Sequence, residues 1–434
     1  MKKIKSILAF AMISTLVVGS LAGCGSKAAD KSTSAVNSNG KVTIVVTNNK
    51  GEIASQFKQA AKEFMTLNPN ITIEDNSVAV GDTLKLFDKL TASGKVVSLA
   101  MMEPADVTGK YKDVSIDLSG EKWNKDTVYG IKNTEGKVVG FPFAIEGFGL
   151  VYNQKVLDKS VGGTFDPFTI NTRTKLKNLL DKVKSSGIKS PVAYQTEDWS
   201  VANHYSSQWL DQAADPNKLV DQAKNGKFDF ATNKAWNGYY DTMDLLASKD
   251  YNLYGDSPLG KYYDNAHLAV GKGTSAMLFN GDWAYDSLKA VAGDKFGFIP
   301  VPMDDNPDNP MNNKLVVGPT QAFIINKNAT KAQQDASKKF LNWLVYDQKG
   351  QDFIVNKSQV ISAFKNNNYK VANSLGKDIS NATAKNKTMP FTTNYVVTSD
   401  YQTILGPDIQ KYIAKKESRK DLAKAFTVYY KSKQ

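Results

Sequence analysis

From residue 41 onward, short apolar runs alternate with stretches in which apolar side chains recur every three or four positions. The run 42–46 is continuous and β-branched, which predicts a strand buried on both faces. Further strands are predicted at 71–73 and 96–101, with helices around 53–64 and 84–90 between them. This β-α-β-α-β order predicts a parallel sheet covered by helices, which places the chain in the α/β class.

The alternation returns later in the chain. Short strand candidates lie at 191–194, 275–279 and 296–300, and the last hundred residues are mostly helical, with amphipathic runs at 331–346, 400–415 and 421–430. No internal repeat is present. About 394 residues follow position 40, more than one typical core holds, so we expect two domains or lobes.

The first 24 residues form a different pattern. Lys2, Lys3 and Lys5 precede an apolar segment at 7–18, and small residues lead to Cys24, which is the single cysteine of the chain. This is the layout of a secretory signal peptide over residues 1–23. A cysteine directly after Leu-Ala-Gly also resembles the lipobox of bacterial lipoproteins, so we expect Cys24 to be lipidated. The alternative is an ordinary signal peptide with a chance cysteine.

Residues 24–40 therefore predict a lipidated cysteine followed by a flexible tether, because Ser, Ala, Lys and Asn dominate this segment and cannot bury a core. We expect the mature protein on the extracellular face of the bacterial cell membrane. No second cysteine remains for a disulfide or a thiolate nucleophile. Phosphate-loop, nucleophile-elbow and His-Glu-x-x-His motifs are absent, so the sequence predicts neither a metal nor a cofactor.

The net charge is +12, and removal of three lysines with the signal peptide lowers it to +9. A nucleic-acid partner is the alternative that this charge raises. Arg173 and Arg419 are the only arginines, although the arginine fork is the group that base and phosphate readers favour. The lysines are spread along the chain, so we expect a solvated basic surface beside an anionic membrane or wall and no nucleic-acid binding.

Aromatic residues concentrate between positions 194 and 285, which hold four of the six tryptophans and nine of the 19 tyrosines. A rigid aromatic face beside carboxylates and amides suits a pyranose, whose C–H face stacks while its hydroxyls form hydrogen bonds. Trp199 and Trp283 stand at predicted loop–helix junctions next to acidic residues, so we assign them to a site. Trp209 and Trp236 fall within helical patterns, where core packing is the favoured interpretation.

Five stretches resemble extracellular sugar-binding proteins of ABC importers, and in particular the maltose/maltodextrin-binding group. Residues 141–153 resemble the first crossing segment of that family, and 316–323 resemble the second. Residues 273–283 match its Gly-x-x-Ala-Met-x-x-x-Gly-x-Trp signature, while 42–51 and 338–344 resemble its first strand and a later helix. Together these stretches span most of the mature chain.

The resemblance implies a two-lobe periplasmic-binding-protein-like fold with crossing hinge strands that closes on its ligand. It assigns 41–147 and 320–357 to the first lobe and 148–319 and 358–434 to the second. It also implies the substrate-binding residues. Glu146 matches the hinge-proximal carboxylate, Trp283 the stacking tryptophan beside Asp282, and Trp199 with Glu197 a second aromatic–acid pair. Tyr395 matches a third stacking aromatic.

One segment departs from the family pattern. Relatives carry Pro-Asp before the strand that ends near the first-lobe contacts, whereas residues 94–103 lack that aspartate and end the strand with methionines. Glu103 and Asp106 are the candidate replacements. Met102 is either an apolar ligand contact or a core residue.

The sequence thus predicts a lipid-anchored, monomeric receptor that binds an oligosaccharide and delivers it to the membrane subunits of an ABC permease, without catalysis. A secreted carbohydrate-active enzyme that uses two of the same carboxylates is the alternative from another class. A third interpretation keeps the fold and replaces the sugar by a polyamine, a phosphate ester or a metal chelate. The identity of the sugar does not follow from the sequence.

Overall fold

The computed structural model describes residues 40–77, 82–292, 295–398 and 400–434. The signal peptide, Cys24 and nearly all of the tether lie outside these residues. Ten strands occur in the described part of the chain: β1 Val42–Asn48, β2 Ile71–Ser77, β3 Leu99–Met102, β4 Ile131–Lys132, β5 Val138–Asn153, β6 Met277–Gly281, β7 Phe296–Ile299, β8 Leu315–Ile325, β9 Ile361–Ser362 and β10 Thr388–Pro390.

The helices lie between and after these strands. They are α1 Ala54–Leu67, α2 Thr83–Ala92, α3 Pro104–Thr108, α4 Gln154–Val161, α5 Arg173–Ser185, α6 Tyr205–Leu210, α7 Pro216–Lys224, α8 Lys234–Ala247, α9 Tyr263–Gly271, α10 Tyr285–Ala292, α11 Lys331–Tyr346, α12 Gln348–Asp352, α13 Ser374–Ala384, α14 Thr393–Val396, α15 Tyr401–Ile413 and α16 Arg419–Lys431. The α/β class is confirmed, and α11 has the predicted bounds.

The N-terminal half of the sheet follows from the hydrophobic pattern. β1 pairs in parallel with both β2 and β3, which confirms the predicted β-α-β-α-β unit. α1 buries Phe57, Ala60, Ala61 and Phe64, which are the positions that a helix with one apolar face brings together. The remaining pairs are not all parallel, because β8 returns antiparallel to β3. The sheet is therefore mixed rather than parallel throughout.

The two predicted crossing segments are long neighbouring strands, and this part of the prediction is confirmed. β8 pairs with β3 at residues 322–325 and with β10 at 315–317. β5 pairs with β8 over 141–148 and with β6 and β7 over 148–153. Each long strand therefore joins two separate parts of the sheet.

Two large hydrophobic clusters lie on either side of these strands. The first contains the buried faces of β1, α1 and α11, and the second contains those of α5, α6, α8, α15 and α16. A smaller third cluster around β3 includes Met102, which is fully buried, so core packing accounts for this methionine. The strand predicted at 191–194 is reduced to isolated bridges, because Val192 is the one residue of this segment that pairs with other strands or loops.

Candidate functional site

The buried centre of the candidate site is the Glu146 carboxylate, which is 2% exposed. The register of the crossing strands fixes its position, because Glu146 of β5 lies opposite Gly318 of β8. Lys50 Nζ donates to Glu146 Oε1 at 2.6 Å, and Thr320 Oγ1 donates to Oε2. A carboxylate has about four acceptor positions, so these two bonds leave capacity for ligand hydroxyls.

Lys50 follows β1 and carries the positive charge of this centre. Its Nζ also lies 2.8 Å from Glu52 Oε1, so one ammonium joins two carboxylates. Burial alone would lower the pKa of Lys50, but Glu146 and Glu52 outweigh that effect and raise it above its ordinary value. Burial raises the pKa of Glu146, while Lys50 opposes this shift. Lys50 therefore remains charged, and its ammonium favours the ionised form of Glu146.

Asp282 and Trp283 line the same pocket as Glu146 and follow the end of β6. They lie in the 3-10 turn Asp282–Ala284, directly after β6. Gly147 N donates to Asp282 Oδ1 at 3.0 Å, so Asp282 is bonded to the residue next to Glu146. Burial, followed by the charge of Glu146, raises the pKa of Asp282 well above its ordinary value. The two carboxyl groups therefore share one buried, electrostatically linked environment.

Gly281 determines how Trp283 is placed. A Cβ atom at position 281 would lie 2.1 Å from Cζ3 and 2.3 Å from Cη2 of Trp283. The indole can therefore fold back over the end of β6 only because residue 281 has no side chain. This explains in physical terms why the motif needs glycine two positions before tryptophan.

Trp199 and Glu197 form the neighbouring part of the site. Trp199 begins a π-helical segment, Trp199–His204, and its backbone N–H donates to Asp198 Oδ1 at 2.8 Å. The rings of Trp199 and Trp283 meet edge to face, with centroids 6.2 Å apart and planes at 68°. Burial, and to a lesser degree the charge of Asp198, raises the pKa of Glu197. The two tryptophans predicted for the site therefore contact each other.

The other two tryptophans of the aromatic-rich segment behave differently. Trp209 and Trp236 are both fully buried and belong to the second hydrophobic cluster. Trp199 and Trp283 are only half-buried. The core interpretation of Trp209 and Trp236 is confirmed, while the assignment of Trp199 and Trp283 to a ligand site stays a prediction.

Two pockets open on this region. The first has an empty volume of about 360 Å³, including its opening, and lies among Lys50, Glu52, Glu146, Asp282 and Trp283. The second has about 610 Å³, and its lining includes Thr196, Glu197, Trp199, Lys261 and Gln410. Both figures include open solvent; the enclosed space is about 30 Å³ in the first pocket and about 290 Å³ in the second, so only the second approaches the roughly 300–1,000 Å³ of small-molecule sites. Each pocket has one of the two contacting tryptophans in its wall.

Glu103 and Tyr395 line neither pocket. Glu103 is half-buried at the start of α3, and burial, followed by the charges of Asp106 and Asp198, raises its pKa to about 8. Tyr395 lies on α14 and is 45% exposed. Their roles as ligand contacts remain predictions.

Sequence reasoning missed three residues of this region. Lys50 and Thr320 hold the Glu146 carboxylate, and His204 lies beside both tryptophans. Lys50 falls inside the matched stretch 42–51 and Thr320 inside 316–323, so both segments, although not the residues, were indicated. His204 carried no recognisable local signal.

Neither arginine belongs to the site. Arg173 and Arg419 both pair with Asp241 of α8, and Arg419 also binds Asp244. Among the described residues, no three His, Cys, Asp or Glu side chains group closely enough to hold a metal ion. In the same part of the chain, no helix is both long and apolar enough to cross a lipid bilayer.

Two long neighbouring strands thus hold the buried Glu146 carboxylate, and Trp283 lies in the same pocket. Residues 48–350 match the model of the bacterial extracellular solute-binding protein family, and the chain belongs to that family.

Named relatives extend this comparison. The chain is 25% identical over 209 residues to the melibiose/raffinose/stachyose-binding protein MelE of Bacillus subtilis strain 168, and the match spans 46% of this chain and 47% of that relative. The fold is shared with a chitin oligosaccharide binding protein (TM-score 0.73, 19% identity, 90% of this chain and 98% of that one). It is also shared with a sugar transporter of Bacillus licheniformis in complex with stachyose (TM-score 0.69, 17% identity, 91% and 100%).

Proposed function

We propose that this protein is a cell-surface receptor that binds a neutral oligosaccharide between two lobes and hands it to the membrane subunits of an ABC permease. The observation that carries the proposal is the contact between Trp199 and Trp283, with Glu197 beside one ring and Asp282 and Glu146 beside the other. Two half-buried indoles at 68° offer stacking faces to two different sugar rings. The adjoining carboxyl groups accept hydrogen bonds from the sugar hydroxyls.

The charges around the pockets support a neutral ligand over an anionic one. The first pocket contains Glu52, Glu146 and Asp282 with Lys50 as the one cation in its lining, and Lys50 is already paired with two of them. The second contains Glu197 and Asp198 with Lys261. A phosphate ester or a uronic acid would meet this acidic lining without an arginine fork.

The relatives support a sugar within this class. MelE is named for melibiose, raffinose and stachyose, and the Bacillus licheniformis protein was solved with stachyose. We therefore place galactose-containing oligosaccharides first among the candidates, and chito-oligosaccharides second. The lipid anchor at Cys24, the monomeric state and the permease hand-off belong to the same proposal.

We assign the lobe boundaries as the sequence predicts, with residues 41–147 and 320–357 in the first lobe and 148–319 and 358–434 in the second. The change of strand partners along β5 near residue 148 and along β8 near 318–321 supports these limits. Closure would then bend the two strands that carry Glu146 and Thr320. Binding would be sensed where the lobes meet.

A calorimetric screen tests the proposal. The panel is raffinose, stachyose, maltotriose and chitotriose, with trigalacturonate as the anionic control and spermidine as the cationic one. We expect saturable binding of at least one neutral sugar and none of trigalacturonate. Failure of all four neutral sugars, together with binding of either charged control, would overturn the assignment of the ligand class.

The enzymatic alternative is tested with the same material. The bound sugar is incubated with an equimolar amount of protein for a day and then analysed by chromatography. A receptor returns the sugar intact. Cleavage that disappears in a Glu146→Gln or Asp282→Asn variant would instead establish a carbohydrate-active enzyme.

A further inference from the structure

His204 lies at the centre of a box of four aromatic rings. Its imidazole stacks on Phe148, with ring centroids 4.8 Å apart and planes at 22°. Trp199, Trp283 and Phe391 complete the box, at centroid distances of 5.1, 5.2 and 5.0 Å. His204 is therefore in contact with both tryptophans of the candidate site.

The rings of the box differ in burial. Phe148 and Phe391 are buried, whereas His204, Trp199 and Trp283 are each half-buried. His204 lines neither pocket, but Trp283 lies in the wall of the first and Trp199 in the wall of the second. His204 therefore contacts one residue of each pocket and keeps part of its own surface accessible.

The two ring nitrogens have different environments. His204 Nδ1 is buried and has no hydrogen-bond partner, while Nε2 is not among the buried unpartnered atoms of the described residues. An orphaned N–H is rarer in protein interiors than an under-used acceptor. We therefore assign the proton to Nε2, at the accessible edge, and the lone pair to the buried Nδ1.

The charge state agrees with this assignment. Burial among the rings lowers the pKa of His204 to about 3, so the imidazole is neutral at neutral pH. A neutral imidazole with its proton on Nε2 offers one donor. The Glu146 carboxylate offers acceptor positions, so a neutral donor beside the two tryptophans supplies the complementary half of sugar recognition.

We propose that His204 is a specificity-determining residue, whose Nε2–H donates a hydrogen bond to a hydroxyl or ring oxygen of a sugar unit that stacks on Trp199 or Trp283. This inference rests on the proposed function. It adds a direct ligand contact that selects sugars with an acceptor at that position, and it separates this contact from the stacking that the tryptophans provide.

His267 is an internal control, because the chain has two histidines. His267 Nδ1 lies 2.6 Å from the Tyr263 carbonyl oxygen, and its Nε2 lies 3.1 Å from Asn280 Nδ2. Both nitrogens therefore have protein partners. Because neither ring nitrogen of His267 is free, we do not expect a bound sugar to form a hydrogen bond with His267.

The experiment uses the untagged mature protein with ¹⁵N-labelled histidine, titrated with raffinose, stachyose, maltotriose and chitotriose. For a sugar that binds, we expect the His204 Nε2 resonance to shift and to report the Nε2–H tautomer, while His267 serves as the reference. A spectrum that shows the proton on Nδ1, or a bound sugar that leaves Nε2 unmoved, would overturn the inference.

Two variants separate the hydrogen bond from the packing. His204→Phe keeps an aromatic ring in the box and removes the donor, so affinity should fall about three- to tenfold with little change in melting temperature. His204→Leu removes the aromatic ring as well and should lose more affinity than His204→Phe. If the parental protein binds a sugar and His204→Phe binds the same sugar with an affinity within twofold of the parent, this inference fails while the proposed function stands. If no sugar binds the parent, the proposed function fails first.

Discussion

The Lys50–Glu146 ion pair provides the sharpest test of the site as the structure describes it. The side chains are 6% and 3% exposed, and the charged atoms lie 2.6 Å apart. Removing one partner of a buried pair typically costs about 3–5 kcal/mol, because the other charge stays buried without compensation. Glu146→Gln leaves Lys50 with Glu52, which is 42% exposed, so we expect the lower end, about 3 kcal/mol.

The reverse change gives a similar cost for a different reason. Lys50→Met leaves Glu146 with Thr320 as its hydrogen-bond donor and without a cation. We expect a loss of about 3 kcal/mol in the free energy of unfolding here as well. The double variant contains neither charge, so it should cost little more than either single change, which corresponds to a coupling free energy of about 3 kcal/mol.

Urea unfolding, followed both by circular dichroism and by tryptophan fluorescence, measures the four proteins of this cycle. Coincident transitions by the two probes justify the two-state treatment. Lys331→Met with Asp335→Asn is the matched control, because that pair is 78% and 54% exposed. The control should show about 1 kcal/mol of coupling or less. Coupling of that small size at Lys50–Glu146 would refute the buried interaction.

Further predictions concern stacking, pH, the anchor and closure. Trp283→Ala should weaken sugar binding by roughly thirtyfold, the equivalent of about 2 kcal/mol, with little loss of stability. Trp236→Ala should instead cost about 3–5 kcal/mol of stability and leave the affinity of the folded protein unchanged. The reverse outcome would make Trp236 the ligand contact and Trp283 the core residue. Burial raises the pKa of Asp211 to about 7, which is above its value in the unfolded chain, so the free energy of unfolding should fall as pH rises through about 7. Urea titrations at pH 5 and 8 measure this fall, and Asp211→Asn should remove it. The same pH dependence in parent and variant would contradict the role of Asp211. Cys24→Ala should leave precursor uncleaved or release the protein from the membrane fraction, and normal processing and fractionation would disprove lipidation. X-ray scattering should show a smaller radius of gyration with saturating sugar, whereas proven binding at constant radius would indicate a rigid site.

Local patterns predicted the parts of the site that depend on short segments. The apolar runs at β1 and β5 and the glycine–tryptophan spacing at 281 and 283 are properties of a few consecutive residues. Gly281 is required by contact with its near neighbour Trp283, so the motif contains its own structural reason. Such features are visible without the fold.

The missed residues depend on contacts that no local pattern encodes. Lys50 is one of 53 lysines, because two of the 55 basic residues are arginines, and its partner Glu146 lies 96 positions away. Thr320 is 174 positions from the same carboxylate. His204 acquires its environment from rings on three distant segments. Their roles follow from strand register, which places position 146 opposite 318 only once β5 and β8 pair.

That register also explains why ligand binding and lobe closure should be coupled in this protein. Glu146 and Gly147 are consecutive residues of a crossing strand, and they bond Lys50 after β1 on one side and Asp282 after β6 on the other. A ligand shifts an open–closed equilibrium only by as much as its affinity differs between the two states. On the proposed lobe assignment, Lys50 belongs to the first lobe and Asp282 to the second, so a sugar that bonds Glu146 would contact a group that is held from both lobes. We therefore expect the hinge to need no separate sensor, because its own strand carries the proposed ligand carboxylate.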